Sequence, residues 1–364
     1  MKKILIVTNG NIGDYVMATA ALKLLRESLP SDFIVLIAIE RVRAFVENLN
    51  FVDDCIYTNF LASKSIFRQR LDQVLWFIKT FFKLRKMKFD ECIFLDHSRF
   101  LAKAVLFYSI KKTVGPSSWW CGKITNPNAK FLTTVIKLPK DSDKVHMSVR
   151  YQTIVKAYLK NYNLAMPVLP KTSNKIKEKV YTLLAKTKQY SLAFCLCGDK
   201  VKGNEKIYPL KYTLEIIKTL SLNFDIDFYF IGTKIFDKYS KAAKNTFPSL
   251  SIHNLCRKTT LLDLKSVFEQ IDLLISVDTG AIHIAATTPI KVIGLYGNNT
   301  ACNSGPQTHR GKILYRPPPC SPCNFTRTVL KIPCYYGNNP KCLENIMPYD
   351  VVNEVSDVFN QKNM

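Results

Sequence analysis

The chain has 364 residues, enough for about two domains, and its 47% hydrophobic, 12% aromatic and 22% charged make-up excludes a disordered or low-complexity protein. Fifty-two Lys and Arg against 28 Asp and Glu give a net charge of +24 spread over both halves; this fits a protein that handles anions or lies near an acidic surface, and equally a plain lysine-rich bias. The longest clean apolar run, Phe33–Ile39, falls far short of the ~20 residues that cross a bilayer, and Met1-Lys-Lys enters a strand with no cleavage site behind it, so a soluble, cytoplasmic protein is expected.

In chain order the pattern predicts a strand over 3–8, a helix over 14–28, a strand over 33–39, a short helix over 41–49 and a strand over 55–57. A long helix over 65–87 and a strand over 91–95 follow. After a basic, Trp-containing stretch at 115–140 and a helix near 145–161, the two prolines of Ala165-Met-Pro-Val-Leu-Pro170 suggest a linker. The alternation then restarts. Helices are expected near 173–187, 209–222, 235–245, 261–270 and 281–287, and strands at 191–197, 227–231, 250–254, 273–277 and 291–296. A Pro- and Cys-rich stretch from 298 precedes a last helix at 348–360. Strand–helix alternation of this kind predicts an α/β protein: two Rossmann-like domains, 1–165 and 166–364, with mostly parallel sheets facing across a cleft.

Three junctions carry polar chemistry. Gly10-Asn11-Ile-Gly13-Asp14 directly follows the first strand and opens the first helix. Its glycines let the backbone approach a ligand, while Asp14 reads either as a proton acceptor or as a helix cap. The segment is neither a G-x-G-x-x-G fingerprint nor a phosphate loop. In Asp272-Leu-Leu-Ile-Ser-Val-Asp278-Thr279-Gly280-Ala-Ile-His283 a buried strand ends in a turn and a helix starts. Amides of Thr279, Gly280 and Ala281 there suit a diphosphate, Asp278 suits sugar hydroxyls, and His283 lies one turn in; an ordinary capped turn is the plain alternative. Finally, Lys206 stands just before the helix that opens near Pro209, where an ammonium neutralises a leaving diphosphate, with Lys200 and Lys202 as rivals.

In this order the motifs resemble glycosyltransferase family 9, the heptosyltransferases of lipopolysaccharide core assembly. The resemblance rests on Gly-x-x-Gly-Asp14, Lys206-x-x-Pro, Leu261-Leu-Asp-Leu and Asp278-Thr-Gly-Ala-Ile-His283 running on to Leu295-Tyr-Gly297. It implies a GT-B fold with the acceptor on the N-terminal domain and the nucleotide sugar on the C-terminal one. It also implies metal-independent, inverting transfer from ADP-heptose to a lipid-linked core oligosaccharide. By motif, Asp14 corresponds to the catalytic base, Lys206 to the phosphate-binding lysine, and Asp278, Thr279, Gly280 and His283 to the donor site. Asp237 falls where the family more often has a Glu ribose ligand, and Gly10, Asn11 and Gly13 form the acceptor-side loop. The 115–140 stretch departs most from the family.

Of eleven cysteines, four make Cys320-x2-Cys323-x10-Cys334-x7-Cys342. That spacing fits a structural Zn or Fe site and equally four reduced thiols. On the 65–87 helix, Phe67, Leu71, Val74, Leu75, Ile78, Phe81 and Phe82 form a stripe expected in the core, with Trp76 opposite and exposed. Lys64, Arg68, Arg70, Lys79, Lys83, Arg85, Lys86 and Lys88 against Asp72 fit contact with anionic lipid or a solvated face. The expectation is therefore a peripheral enzyme at the inner face of the inner membrane with no catalytic cofactor. Another nucleotide sugar or a protein acceptor is the nearer alternative; a basic nucleic-acid-binding protein is disfavoured because no such motif is present.

Overall fold

A computed structural model describes the chain except residues 9, 60–65, 97–98, 120–123, 127–128, 139–143, 161–162, 199–205, 324–333, 337–339 and 363–364, and describes only the backbone at 66–69, 99, 106, 119, 124 and 125. Lys64, Lys200 and Lys202, and the side chains of Phe67 and Arg68, therefore lie outside the described residues. The chain divides into two units, Met1–Pro170 and Lys171–Met364.

The first unit runs β1 (Lys3–Val7), α1 (Ile12–Ser28), β2 (Phe33–Ile39), α2 (Arg43–Val46), β3 (Asp54–Thr58), α3 (Ile66–Met87), β4 (Glu91–Phe94), α4 (Arg99–Leu106) and β5 (Lys112–Pro116). A small antiparallel ribbon, β6 (Ser118–Trp119) with β7 (Ile124–Thr125), comes next, then β8 (Thr134–Ile136) and α5 (Met147–Leu159). The described strands form a parallel sheet in the order β3-β2-β1-β4-β5-β8. Ile4 to Val7 and Ile34 to Ala38 are buried on both faces, which is why these strands read as unbroken apolar runs.

The long helix α3 turns the opposite way from the expectation. Trp76 is only 9% exposed. Its Nε1–H donates to the Tyr57 carbonyl at 2.8 Å, and its ring meets Phe100 edge-on at 6.1 Å. The stripe expected in the core instead leaves Leu71, Val74, Leu75, Ile78 and Phe82 exposed. A ring that is large, flat and able to satisfy its own N–H wins the inward position.

The second unit repeats the alternation: α6 (Asn174–Leu184), β9 (Tyr190–Cys195), α7 (Leu210–Ser221), β10 (Ile226–Phe230), α8 (Lys234–Thr246), β11 (Ile252–Asn254), α9 (Leu261–Gln270), β12 (Leu273–Val277), α10 (Gly280–Ala286) and β13 (Lys291–Tyr296). It ends with α11 (Ala301–Ser304), β14 (Gly311–Tyr315), α12 (Lys341–Glu344) and α13 (Pro348–Lys362). Its parallel sheet has the order β11-β10-β9-β12-β13-β14. Helix α13 buries Val351, Val355 and Phe359 against it, with the Phe359 ring stacked on Tyr190 at 4.3 Å. Inside the sheet, buried Asp227 accepts from the Thr187 and Lys188 amides at 2.8 and 2.9 Å, and Ser251 Oγ donates to it as well.

Candidate active site

In open parallel sheets of this order, ligands bind at the carboxyl ends of the strands, where the order reverses. In the first unit that point lies between β1 and β4. Asn11 caps α1, and Asp14 completes a capping box with its Oδ2 accepting the Asn11 amide at 2.7 Å. The carboxylate is half-buried and fixed by the backbone it caps. Gly10 makes room for it: a Cβ there would stand 2.3 Å from the Asp14 Cβ. Gly13 is buried in the first turn.

A second carboxylate at this edge escaped the sequence reading. Asp96 follows β4 and accepts from Thr8 Oγ1 at 3.3 Å. Tyr15, whose hydroxyl donates to the Thr8 carbonyl and accepts the Ile39 amide, links the ends of β1 and β2 beneath. Burial first, and the charge of Asp96 after it, hold its phenol well above the usual range, and Asp14 adds to the effect. The signal available in the sequence was an Asp immediately after the strand Glu91-Cys-Ile-Phe-Leu95, the same position that singled out Asp278.

In the second unit the equivalent edge brings Lys206 and Asp278 together across 72 residues of chain. Lys206 Nζ donates to Asp278 Oδ2 at 2.8 Å and to the Asp278 carbonyl at 3.0 Å. Gly198 presses against the lysine stem: its amide donates to the Lys206 carbonyl at 2.9 Å, and a Cβ on it would stand 2.8 Å from the Lys206 Cβ. Buried His283 has Nε2 4.0 Å from Asp278 Oδ1. Burial pushes the Asp278 carboxyl up, but the charges of Lys206 and His283 and hydrogen bonds from Lys206 and Asn299 outweigh it and hold the group below the ordinary carboxylate range. Thr279 is the N-cap of α10 and has no side-chain capping bond, and the first amides of that helix begin at Gly280, two residues past Asp278. Asn299 and Ser304 were not foreseen. Asn299 Nδ2 donates to Asp278 Oδ2 at 3.4 Å and to Ser304 Oγ at 2.6 Å, and Ser304 Oγ donates to Asp278 Oδ1 at 3.3 Å. The pair of asparagines after β13 was the available cue.

Asp237 stands apart from this cluster, in the first turn of α8 after β10. Its Oδ1 accepts from Asn254 Nδ2 at 2.6 Å and its Oδ2 lies 3.1 Å from Lys241 Nζ; the Asn254 bond first, and Lys241 second, lower its carboxyl pKa. Of the four late cysteines, Cys342 is buried under Gly297. Burial, then the proximity of Cys323, Cys334 and Cys320, pushes its thiol up to about 12. Among the described residues no three His, Cys, Asp or Glu side chains group to hold a metal ion.

The profile of glycosyltransferase family 9 (heptosyltransferase) matches residues 78–332. A lipooligosaccharide heptosyltransferase 2 of Campylobacter jejuni is 28% identical over 108 residues, 29% of this chain and 32% of that protein. The chain thus aligns with about a third of the length of the curated relatives it matches. Among solved structures, an E. coli ADP-heptose lipopolysaccharide heptosyltransferase II is similar over 100% of both chains, with TM-score 0.75 and 18% identity. An E. coli heptosyltransferase solved with ADP is similar over 90% of this chain and 99% of its own, with TM-score 0.64 and 16% identity. These likenesses give the fold, the two-unit α/β architecture of the GT-B class. With 70 of every 100 residues inside the matched profile, the chain belongs to glycosyltransferase family 9, the heptosyltransferase family.

Proposed function

We propose that the protein is an inverting glycosyltransferase that moves a heptose from ADP-heptose to a lipid-linked core oligosaccharide at the inner face of the inner membrane. The 1–165 domain takes the acceptor and the 166–364 domain the nucleotide sugar. The observation that carries the reading is the Lys206–Asp278–His283 cluster set at the start of α10. A cation beside helix-start amides suits a nucleoside diphosphate.

In this reaction the acceptor hydroxyl gives its proton to the Asp14 carboxylate as its oxygen attacks the anomeric carbon. The bond from that carbon to the diphosphate breaks on the opposite face, which inverts the centre. Lys206 and the amides of Thr279, Gly280 and Ala281 take up the charge of the departing ADP. Asp278, Thr279, Gly280 and His283 hold the donor, Asp237 reaches its ribose, and Gly10, Asn11 and Gly13 line the acceptor side. The charge is met by protein groups, so the transfer proceeds without a divalent cation.

The test offers the purified protein a panel of nucleotide sugars with a water-soluble core fragment. Transfer from ADP-heptose in the presence of chelator is expected, with inversion at the anomeric carbon. Transfer only from another nucleotide sugar, or only to a protein, would replace the donor or acceptor named here.

A further inference from the structure

The most unusual surface among the described residues is the outer face of α3. Leu71, Val74, Leu75, Ile78 and Phe82 recur at helical spacing along it, with exposures from 47% at Leu71 to 78% at Phe82. Phe107, also exposed, lies edge-on to Phe77 at 5.6 Å and widens the apolar area beyond the helix. A stripe this continuous on a water-facing helix marks an interaction surface, since single exposed apolar residues are ordinary and contiguous ones are not.

The charges around the stripe say what covers it. Lys79 and Lys86 flank one side, and Arg70 and Arg85 the other, all exposed. Lys83 Nζ lies 3.2 Å from Asp54 Oδ2, so it contributes less. The helix carries a single acidic residue, half-buried Asp72. A second copy of the chain is a poor fit, because a symmetric contact would set these cations against their own counterparts on a molecule of net charge +24. A bilayer surface bearing negative lipid suits both parts, taking the apolar side chains at its acyl boundary and the cations among its headgroups.

We infer that the exposed face of α3 is a docking surface for an anionic membrane, inserting Leu71, Leu75, Ile78 and Phe82 while Lys79, Arg85 and Lys86 meet the headgroups. Trp76, pointing into the core, takes no part. The inference deepens the proposed function by supplying the contact with a lipid-linked acceptor. Its evidence is separate, because docking is read without donor or acceptor.

The experiment is co-sedimentation of the full chain with vesicles of phosphatidylglycerol and phosphatidylcholine, and with phosphatidylcholine alone. Wild type is expected to bind the anionic vesicles, to release as salt rises, and to bind the neutral ones weakly. Leu75→Gln, Ile78→Gln and Phe82→Gln combined should weaken binding at least tenfold. Lys79→Gln, Arg85→Gln and Lys86→Gln combined should weaken it about fivefold per cation removed. All six positions are exposed, and an unchanged circular dichroism spectrum and melting temperature will show that the variants fold. Three results would overturn the inference. Wild type fails to bind; the apolar variant binds as well as wild type, which would assign the attraction to overall charge; or wild type sediments as a dimer that the apolar variant dissociates. Transfer to the water-soluble acceptor should be unchanged in both variants, so a failure of docking and a failure of the proposed reaction are read separately.

Discussion

At the scale of single residues, Asp14 is the observed cap of α1 and the proposed base, two roles that substitution can separate. Its Oδ2 caps α1 by accepting the Asn11 amide, and an Asn side chain keeps that acceptor while losing the ability to take a proton. Asp14→Asn is therefore expected to leave the melting temperature nearly unchanged and to lower turnover by about 10² or more, the usual share of a general base. Asp96→Asn is the control: with Thr8 holding it at the same sheet edge, a larger loss there than at position 14 would move the base to Asp96. Across the second sheet the pairing of Lys206 with Asp278 makes a different prediction. Lys206→Ala strands a buried carboxylate that keeps its Asn299 and Ser304 donors and nearby His283, at a cost of about 1–3 kcal/mol in urea unfolding. Adding Asp278→Asn should recover most of that stability while donor binding stays lost. Recovery of both would make the pair structural.

At the scale of elements, strands buried on both faces were the easiest to read, because β1, β2, β9 and β12 have no polar face to interrupt the apolar run. The elements the sequence did not reveal are short or carry breakers. β5 reads Lys-Thr-Val-Gly-Pro, β8 has three residues, and β14 adds an edge strand inside a Pro- and Cys-rich stretch. Helix α4 has only eight residues and lies between two clearer signals. Lys206 and Asp278 were singled out by their places at strand and helix ends, but nothing in local pattern says that one donates to the other. The α3 reversal has a sharper cause: periodicity finds an apolar stripe, yet it cannot tell which side the sheet takes when the stripe and Trp76 compete for it. The closing helix α13 makes a stability prediction of its own. Phe359 is fully buried and stacked on Tyr190, so Phe359→Ala is expected to cost about 3–5 kcal/mol by chemical denaturation. A loss below about 1 kcal/mol would mean that α13 is peripheral to the core.

For the whole molecule, the carboxylates divide unevenly. In the second unit Asp227, Asp263, Asp272 and Asp278 all titrate below the usual range; burial opposes this in each, and hydrogen bonds and lysine partners outweigh it. A carboxyl whose folded pKa is depressed takes up protons more readily when unfolded, so its contribution is complete above the ordinary carboxylate range and fades as pH falls through the folded value. Denaturant midpoints should hold steady near neutrality and fall below about pH 4, with probes in Lys171–Met364 responding before those in Met1–Pro170. Simultaneous loss at both would show that the two units unfold as one. The shared strand order has a further consequence. By place in the sheet, β1 corresponds to β9 and β4 to β12. Asp14, in the first turn of α1, and Lys206, ahead of α7, follow the first pair of strands; Asp96 and Asp278 follow the second. One strand order thus carries a carboxylate after the central strand of one half and a lysine after that of the other. The proposed division of labour between the halves asks for no difference in strand order, only for which side chains follow the paired strands.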